Sequence, residues 1–361
     1  MQSSHLRKSQ WKIFAVGLLM VSTVLVALVS FLPAIGTSKI PPERAFYFWK
    51  TVWSNNEDVE SMLAKSNVKK LYMRYFDVSW DRQSSRAKPV SPLESKDALP
   101  QSLEIIPVVY LTNEVFIKIP YADVEDLADK VWTKVSQMAK YQKVEVKELQ
   151  LDSDWSQSSR KQYFHFLDLL RRRLNPLGIE VSATLRLHQI KYPDRTGIPP
   201  VDRGMLMFYN FGRILAEGER SSIFNKEDAS LYTSYIAQYK MPLDISLPIF
   251  SWMVHSRDGK VLDLVDKMTE SELLKDGSFE QIAPRKYLAK QSFFLRGRYF
   301  VKDDLLLIEE TNPQITREAA ELALKGAGSQ KSYQTVAFFD IDEDIVKHYG
   351  EKEIENIFRE F

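Results

Sequence analysis

Short apolar runs alternate with amphipathic stretches over most of the 361-residue chain. The runs begin with "AFYFWKT" (45–51) and "KKLYMRYFDVSW" (69–80) and continue at 104–112, 146–155, 180–189, 204–212, 244–254 and 334–342. Their length and their content of β-branched and aromatic residues are typical of strands. Several intervening stretches, such as 123–142 and 160–174, have the three-to-four-residue apolar spacing that predicts helices.

Eight strands separated by helices predict an α/β protein with a closed (β/α)8 barrel of the TIM type. An open doubly wound sheet has a similar alternation, but no Gly-rich phosphate loop follows the first strand. A long segment at about 256–331 separates the seventh strand from the eighth and is predicted to be an insertion. It contains a predicted β-hairpin in "SFFLRGRYFVKDDLLLIEE" and a predicted helix at 316–326.

The amino terminus has the pattern of a membrane-spanning segment. Arg7, Lys8 and Lys12 precede an uncharged stretch at 13–36, which is long enough to cross a bilayer as a helix. The apolar region of a cleaved signal peptide is usually shorter, so an uncleaved anchor is favoured over a secreted product. Positive charge before the segment predicts that the amino terminus stays in the cytoplasm.

The predicted organisation therefore has four parts: a cytoplasmic basic segment (1–12), a transmembrane anchor (13–36), a linker (37–44) and a barrel domain (45–361). The barrel is expected on the extracytoplasmic or periplasmic side of the inner (cytoplasmic) membrane.

Composition narrows the range of functions. The chain is 44% hydrophobic and 27% charged, as in folded globular proteins, and its formal net charge of +1 gives no indication of nucleic-acid binding. It contains no cysteine, which excludes disulfides, thiolate metal sites and cysteine nucleophiles. Seven Trp and sixteen Tyr suit a cleft that stacks on sugar rings, although a large core also uses such residues. No cofactor is predicted.

Polar and aromatic residues gather at the carboxyl ends of the predicted strands, where the active sites of such barrels lie. The candidates are Arg74, Asp77, Glu114, Asp152, Asp154, Trp155, Arg186, His188, Tyr209, Asn210, Trp252 and Asp340. Because side chains alternate along a strand, Asp152 and Asp154 share one face of the fourth strand. Arg186 and His188 share one face of the fifth strand, so the two pairs are expected to meet.

Several of these residues also have a purely structural interpretation. Asp154 has the position of an N-cap for the next helix, and Arg186 is equally explained as a counter-ion for buried carboxylates. Tyr209 and Trp252 are also candidates for core packing. A metal bound by the aspartates and a histidine is a weaker alternative, because the spacing is not diagnostic and no His-x-x-x-His pair is present. No metal site is predicted.

Several strand ends together resemble the chitinase-like family-18 glycoside hydrolases. That family has Asp-x-x-Asp-x-Asp-x-Glu at its fourth strand, and "LQLDSDWS" matches it at Asp152 and Asp154. Three further stretches, "MFYN" (207–210), "LPIFSW" (247–252) and "VAFFDID" (336–342), are similar to its later strands. The resemblance covers most of 45–342 in layout. It implies a barrel fold and a polysaccharide or glycan as the ligand.

Two positions differ from the family pattern. Ser156 occupies the position of the catalytic Glu, and Asn210 that of the sixth-strand Asp. Serine cannot protonate a glycosidic oxygen near neutral pH, so the family mechanism is not expected to operate intact.

The leading hypothesis is a membrane-anchored glycoside-hydrolase-like barrel in which Asp154 is the acid/base and Asp152 its charge partner. Glu114 or Asp77 is the second carboxylate in one version of this hypothesis. The remaining candidates bind substrate or set protonation states: Arg74, Trp155, Arg186, His188, Tyr209, Asn210, Trp252 and Asp340. One alternative is a barrel that binds a glycan, or acts as a scaffold, without cleaving it. Unrelated chemistry is another, since such barrels host many reactions.

Overall fold

The computed structural model describes residues 41–275, 277–328 and 332–361. The predicted basic segment and the predicted anchor at 13–36 lie outside these residues. Within the described ranges, no helix has the length and apolar character needed to cross a membrane. Pro42–Phe361 forms a single structural unit.

Eight parallel strands close into a barrel. In chain order they are β1 (Glu43–Phe48), β2 (Lys70–Asp81), β3 (Glu104–Leu111), β4 (Glu148–Asp152), β5 (Glu180–Leu185), β6 (Arg203–Met207), β7 (Leu243–Pro248) and β8 (Thr335–Phe339). Consecutive strands pair with each other, and β1 pairs with both β8 and β2, so the ring is complete. The predicted TIM-type barrel is confirmed.

Helices follow most of the strands. They are α1 (Glu57–Lys65), α2 (Asn113–Lys118), α3 (Val124–Gln142), α4 (Arg160–Leu174), α5 (Leu187–Lys191), α6 (Pro193–Thr196), α7 (Lys226–Gln238), α8 (Glu270–Lys275), α9 (Pro313–Ala327), α10 (Glu343–Tyr349) and α11 (Glu351–Phe358). The connection from β2 to β3, described throughout, contains no helix. There the strand Arg86–Val90 pairs antiparallel with β2 instead.

Helix α3 illustrates how the sequence determines these elements. Val124, Leu127, Val131 and Val135 recur every three or four residues and are all buried, so one face of the helix packs inward. Acidic residues in its first turn interact favourably with the helix dipole. The helix ends at Gln142, as predicted from the sequence. The next residue, Lys143, has the left-handed conformation.

The insertion between β7 and β8 begins earlier than predicted. The apolar run at 244–254, predicted as one strand, forms two, because β7 ends at Pro248 and a separate strand begins at Ser251. Both strands are buried, so hydrophobicity does not mark the break between them. The second strand belongs to an antiparallel sheet, the insertion sheet, made of Ser251–Arg257, Lys260–Asp266, Phe279–Ala283, Lys286–Ala289 and Leu305–Glu310.

The insertion also ends earlier than residue 331. Helix α9, which follows the insertion sheet, packs against α7 and so belongs to the outer layer of the barrel. Gly326 permits this contact, because a Cβ atom there would lie 2.8 Å from the carbonyl oxygen of Thr233. Of the predicted hairpin at 292–310, only Phe293–Leu295 and Arg298–Phe300 pair with each other. Leu305–Glu310 is a central strand of the insertion sheet instead.

A chain of buried polar side chains crosses the barrel interior. The Tyr47 hydroxyl donates to Gln150 Oε1 at 2.6 Å, and Gln150 Nε2 donates to Ser182 Oγ at 3.2 Å. Ser182 in turn donates to Glu148 Oε1 at 2.5 Å. Burial raises the pKa of Glu148 to about 7, although the Ser182 hydrogen bond and the charge of Lys70 act in the opposite direction.

We expect the Glu148→Gln variant to lose part of the pH dependence of folding stability. A folded-state pKa above the unfolded value means that the native protein binds more protons between about pH 4.5 and 7, so native stability falls as pH rises through this window. Glu148 is expected to account for on the order of 2 kcal/mol of the stability lost between pH 5 and pH 8. Urea unfolding at both pH values measures it.

Asp152, Asp244 and Asp340 also have raised pKa values, so the variant retains part of the slope. Glu145→Gln, at an exposed position three residues away, is the matched control and should keep the full slope. If folding stability depends on pH as strongly in Glu148→Gln as in the native protein, the raised pKa of Glu148 does not contribute as proposed.

Candidate functional site

A cavity of about 520 Å³ lies at the carboxyl ends of the barrel strands. Its lining includes nine of the twelve side chains predicted from the sequence: Arg74, Asp77, Asp152, Asp154, Arg186, Tyr209, Asn210, Trp252 and Asp340. Residues from β2, β4 and the loops after β5, β6 and β8 meet here because all eight strands run in the same direction.

The other three predicted residues do not line the cavity. Glu114 lies in the first turn of α2 and pairs with Lys118 at 2.7 Å. Trp155 is buried in the core, where its Nε1–H donates to the Thr196 carbonyl oxygen at 2.9 Å. His188 is exposed on α5, because β5 ends before it and the chain turns into a helix. Its predicted place on the fifth strand is wrong.

Arg186 holds the two aspartates of the fourth strand end. Its Nη2 donates to Asp152 Oδ1 at 3.2 Å, and its Nε pairs with Asp154. The Thr184 hydroxyl donates to the same Asp152 oxygen at 2.5 Å. Arg186 thus contacts the aspartate pair as expected, whereas His188, its expected companion, lies on α5. Asp154 is not the N-cap of α4, because that helix begins after Ser159.

The two aspartates have different environments. The Asp152 side chain is 5% exposed, whereas that of Asp154 is 52% exposed. Burial raises the pKa of Asp152, and the charge of Asp154 raises it further, while Arg186 lowers it. A raised pKa, which a general acid requires, is therefore found at the buried Asp152, which the sequence hypothesis treats as the charge partner.

A second cluster of charged side chains contains residues of the insertion and of the loop after β8. Lys267 Nζ lies 2.9 Å from Asp340 and 2.7 Å from Asp342, and Lys50 lies 3.8 Å from Asp342. Burial raises the pKa of Asp340, and Lys267 lowers it. Asp342 also caps α10, because its carboxylate accepts from the Ile345 amide at 2.9 Å.

Lys267 is a cavity residue that was not predicted from the sequence. It follows the last residue of a strand in the insertion sheet, in a left-handed turn with φ 58°. Nothing in the hydrophobic pattern connects this turn with the eighth barrel strand, some seventy residues further along the chain. The only local signal is the dipeptide Asp266–Lys267 itself, which lines the cavity with both side chains.

Aromatic side chains form much of the remaining wall. Tyr209, Phe250 and Phe339 pack with ring centroids 5.5–5.7 Å apart. Trp49, which follows β1 and is only partly buried, packs on Phe339 at 5.4 Å. Trp252 belongs to the insertion sheet rather than to a barrel strand, and its Nε1–H donates to Glu309 at 2.8 Å.

The two departures from the family-18 pattern have different positions. Ser156 does not line the cavity, and its hydroxyl lies 2.8 Å from that of Ser158. Asn210 does line the cavity, in a left-handed conformation with φ 58°. The Arg74 and Asp77 side chains, also at the cavity, form an ion pair with Nε and Oδ1 2.8 Å apart. In the described part of the chain, His, Asp and Glu side chains form no group of three or more that could hold a metal ion.

No protein-family model matches the sequence, and no curated protein sequence matches it. Solved structures do share the fold. The spore cortex-lytic enzyme SleL of Bacillus megaterium has a TM-score of 0.54 at 12% identity, over 90% of this chain and 75% of that one. SleL of Bacillus cereus gives 0.52 at 14% identity, over 89% and 74%. A chitinase from Chromobacterium violaceum gives 0.51 at 9% identity, over 88% and 98%. In architecture, this chain is therefore similar to the barrels of these three proteins.

Proposed function

We propose that the mouth of the barrel binds a polysaccharide segment in the 520 Å³ cavity. The observation that carries this proposal is the presence, in one cavity, of several aromatic faces and of arginines hydrogen-bonded to aspartates. Aromatic rings pack on the apolar faces of sugars, and Arg–Asp pairs offer donors and acceptors side by side to hydroxyl groups. Neighbours of this fold that are named chitinase and cortex-lytic enzyme support the same class of ligand.

Binding without cleavage is supported by two residues. Ser156 stands where the resembling family has its catalytic acid, and it does not line the cavity. Asp154, the acid of the sequence hypothesis, is engaged in an ion pair with Arg186, which favours a role in ligand recognition over proton donation. A glycan-binding barrel therefore fits the geometry better than the family mechanism does.

Hydrolysis is the second candidate, and one observation favours it. Asp152 and Asp340 both line the cavity, both are buried, and burial raises the pKa of both. A carboxyl with a raised pKa is better suited to act as a general acid than one with an ordinary pKa, and a second carboxyl is required in both retaining and inverting mechanisms. In this alternative Asp152, rather than Asp154, donates the proton.

We also propose that the barrel lies outside the cytoplasmic membrane, anchored through 13–36. The support is the basic residues that precede this uncharged stretch, which favour retention of the amino terminus in the cytoplasm. A barrel in that position has access to polysaccharides of the cell envelope or the surroundings. Cleavage after the stretch would release it as a secreted protein.

Replacement of Trp49 by Ala should weaken glycan binding about tenfold, because a partly exposed ring in the cavity is lost. Calorimetric titration with tetrasaccharides of glucosamine and of N-acetylglucosamine measures the change. Tyr141→Ala is the control, since Tyr141 is 84% exposed on α3 and does not line the cavity. If the native protein binds neither tetrasaccharide, the proposed function is refuted.

Assays of reducing-end release from the same tetrasaccharides separate binding from hydrolysis. The binding proposal predicts no release above the rate without protein. The alternative predicts release that Asp152→Asn abolishes and that declines as pH rises, because the acid loses its proton; the raised pKa of Asp152 moves this decline to higher pH than for an ordinary carboxyl. Asp126→Asn, at an exposed ion pair on α3, is the control. Turnover by the native protein would overturn binding without cleavage.

A further inference from the structure

We infer that the polysaccharide bound in the cavity carries free amino groups, as a glucosamine-containing chain does. This inference rests on the proposed binding function and specifies the class of sugar. It follows from the balance of charge around the cavity, which leaves carboxylates without a matching cation.

Carboxylates outnumber cations in the cavity lining. The cations are Arg74, Arg186 and Lys267. The carboxylates are Asp77, Asp152, Asp154, Asp266 and Asp340. Neighbours outside the lining do not change this difference, since Asp342 and Lys50 add one charge of each sign.

Two clusters of charged side chains each contain equal numbers of positive and negative charges. Arg74 and Asp77 form a pair at 2.8 Å. Around Lys267, two carboxylates are matched by two amines, because Lys50 lies 3.8 Å from Asp342. The surplus therefore does not come from these parts of the wall.

The first excess of negative charge lies around Arg186. One guanidinium serves both Asp152 and Asp154. The titratable groups beside them do not supply a second cation. Partial desolvation lowers the pKa of His188, which disfavours its charged form, and burial together with the two aspartates raises the pKa of Tyr110 to about 12, so its phenol is uncharged at pH 7.

The second excess of negative charge lies at Asp266. This residue is exposed at the end of a strand of the insertion sheet, and within the described residues its carboxylate has no ion pair. Arg296 is nearby, but its guanidinium donates to the main-chain carbonyl oxygens of Asp266 and Lys267 and pairs with the Glu272 carboxylate at 2.7 Å. The side chain of Asp266 is thus available to a ligand.

A protonated amino sugar supplies the positive charge that the cavity lining lacks. Its ammonium group donates three hydrogen bonds, pairs with carboxylates and interacts with aromatic faces such as those of Trp49 and Trp252. The 52% exposure of the Asp154 side chain makes it accessible to such a group. An anionic sugar would instead meet like charges, which oppose binding.

The test is titration of the full chain with the glucosamine tetramer and the N-acetylglucosamine tetramer at pH 6 and low salt. We expect the glucosamine tetramer to bind about tenfold more tightly, with an affinity that falls as salt is added. Asp154→Asn combined with Asp266→Asn should reduce the preference to about twofold or less. Asp126→Asn, on α3, should leave it unchanged, since Asp126 lies outside the cavity.

The outcomes distinguish the two proposals. Equal or tighter binding of the acetylated tetramer overturns the amino-sugar inference and leaves glycan binding in place. Absence of binding to either tetramer overturns the proposed function. A preference for glucosamine that survives the double substitution overturns the roles of Asp154 and Asp266. Asp266→Asn alone, at an exposed position, should already reduce the preference about threefold.

Discussion

The main-chain pairing of β1 with both β8 and β2 is the constraint on which the rest of the structure depends. It joins the first and last strands of the unit, in register from Ala45↔Ala337 on one side and Ala45↔Lys70 on the other. Once the ring is closed, the carboxyl ends of all eight strands face one opening, and side chains from distant parts of the chain meet there. The cavity is thus a consequence of closure rather than of any local motif.

Closure also concentrates carboxylates in a place where water is partly excluded, and the protein compensates with cations. A buried carboxylate is costly unless it is paired or protonated, which explains why Asp152 contacts Arg186 and Asp340 contacts Lys267. Neutralisation is incomplete at two places, because one guanidinium, that of Arg186, serves both Asp152 and Asp154, and Asp266 has no ion pair within the described residues.

Much of the barrel could be predicted from the sequence, because a strand buried on both faces gives an apolar run and the intervening helices give a different period. The same signal failed at 244–254, where two buried strands from different sheets follow one another without a polar break. It also failed at His188, because strict alternation assumes that the strand continues. Lys267 and Trp49 could not be found, since their place in the site depends on tertiary contacts and on no local period.

The insertion sheet supplies Trp252, Asp266 and Lys267 to the cavity, yet its strand pairing is separate from the hydrogen bonds that close the ring. Exposed residues on this wall can change without disturbing the register of any barrel strand. Substitutions there are therefore expected to alter the cavity lining while the hydrogen bonds that close the ring are kept.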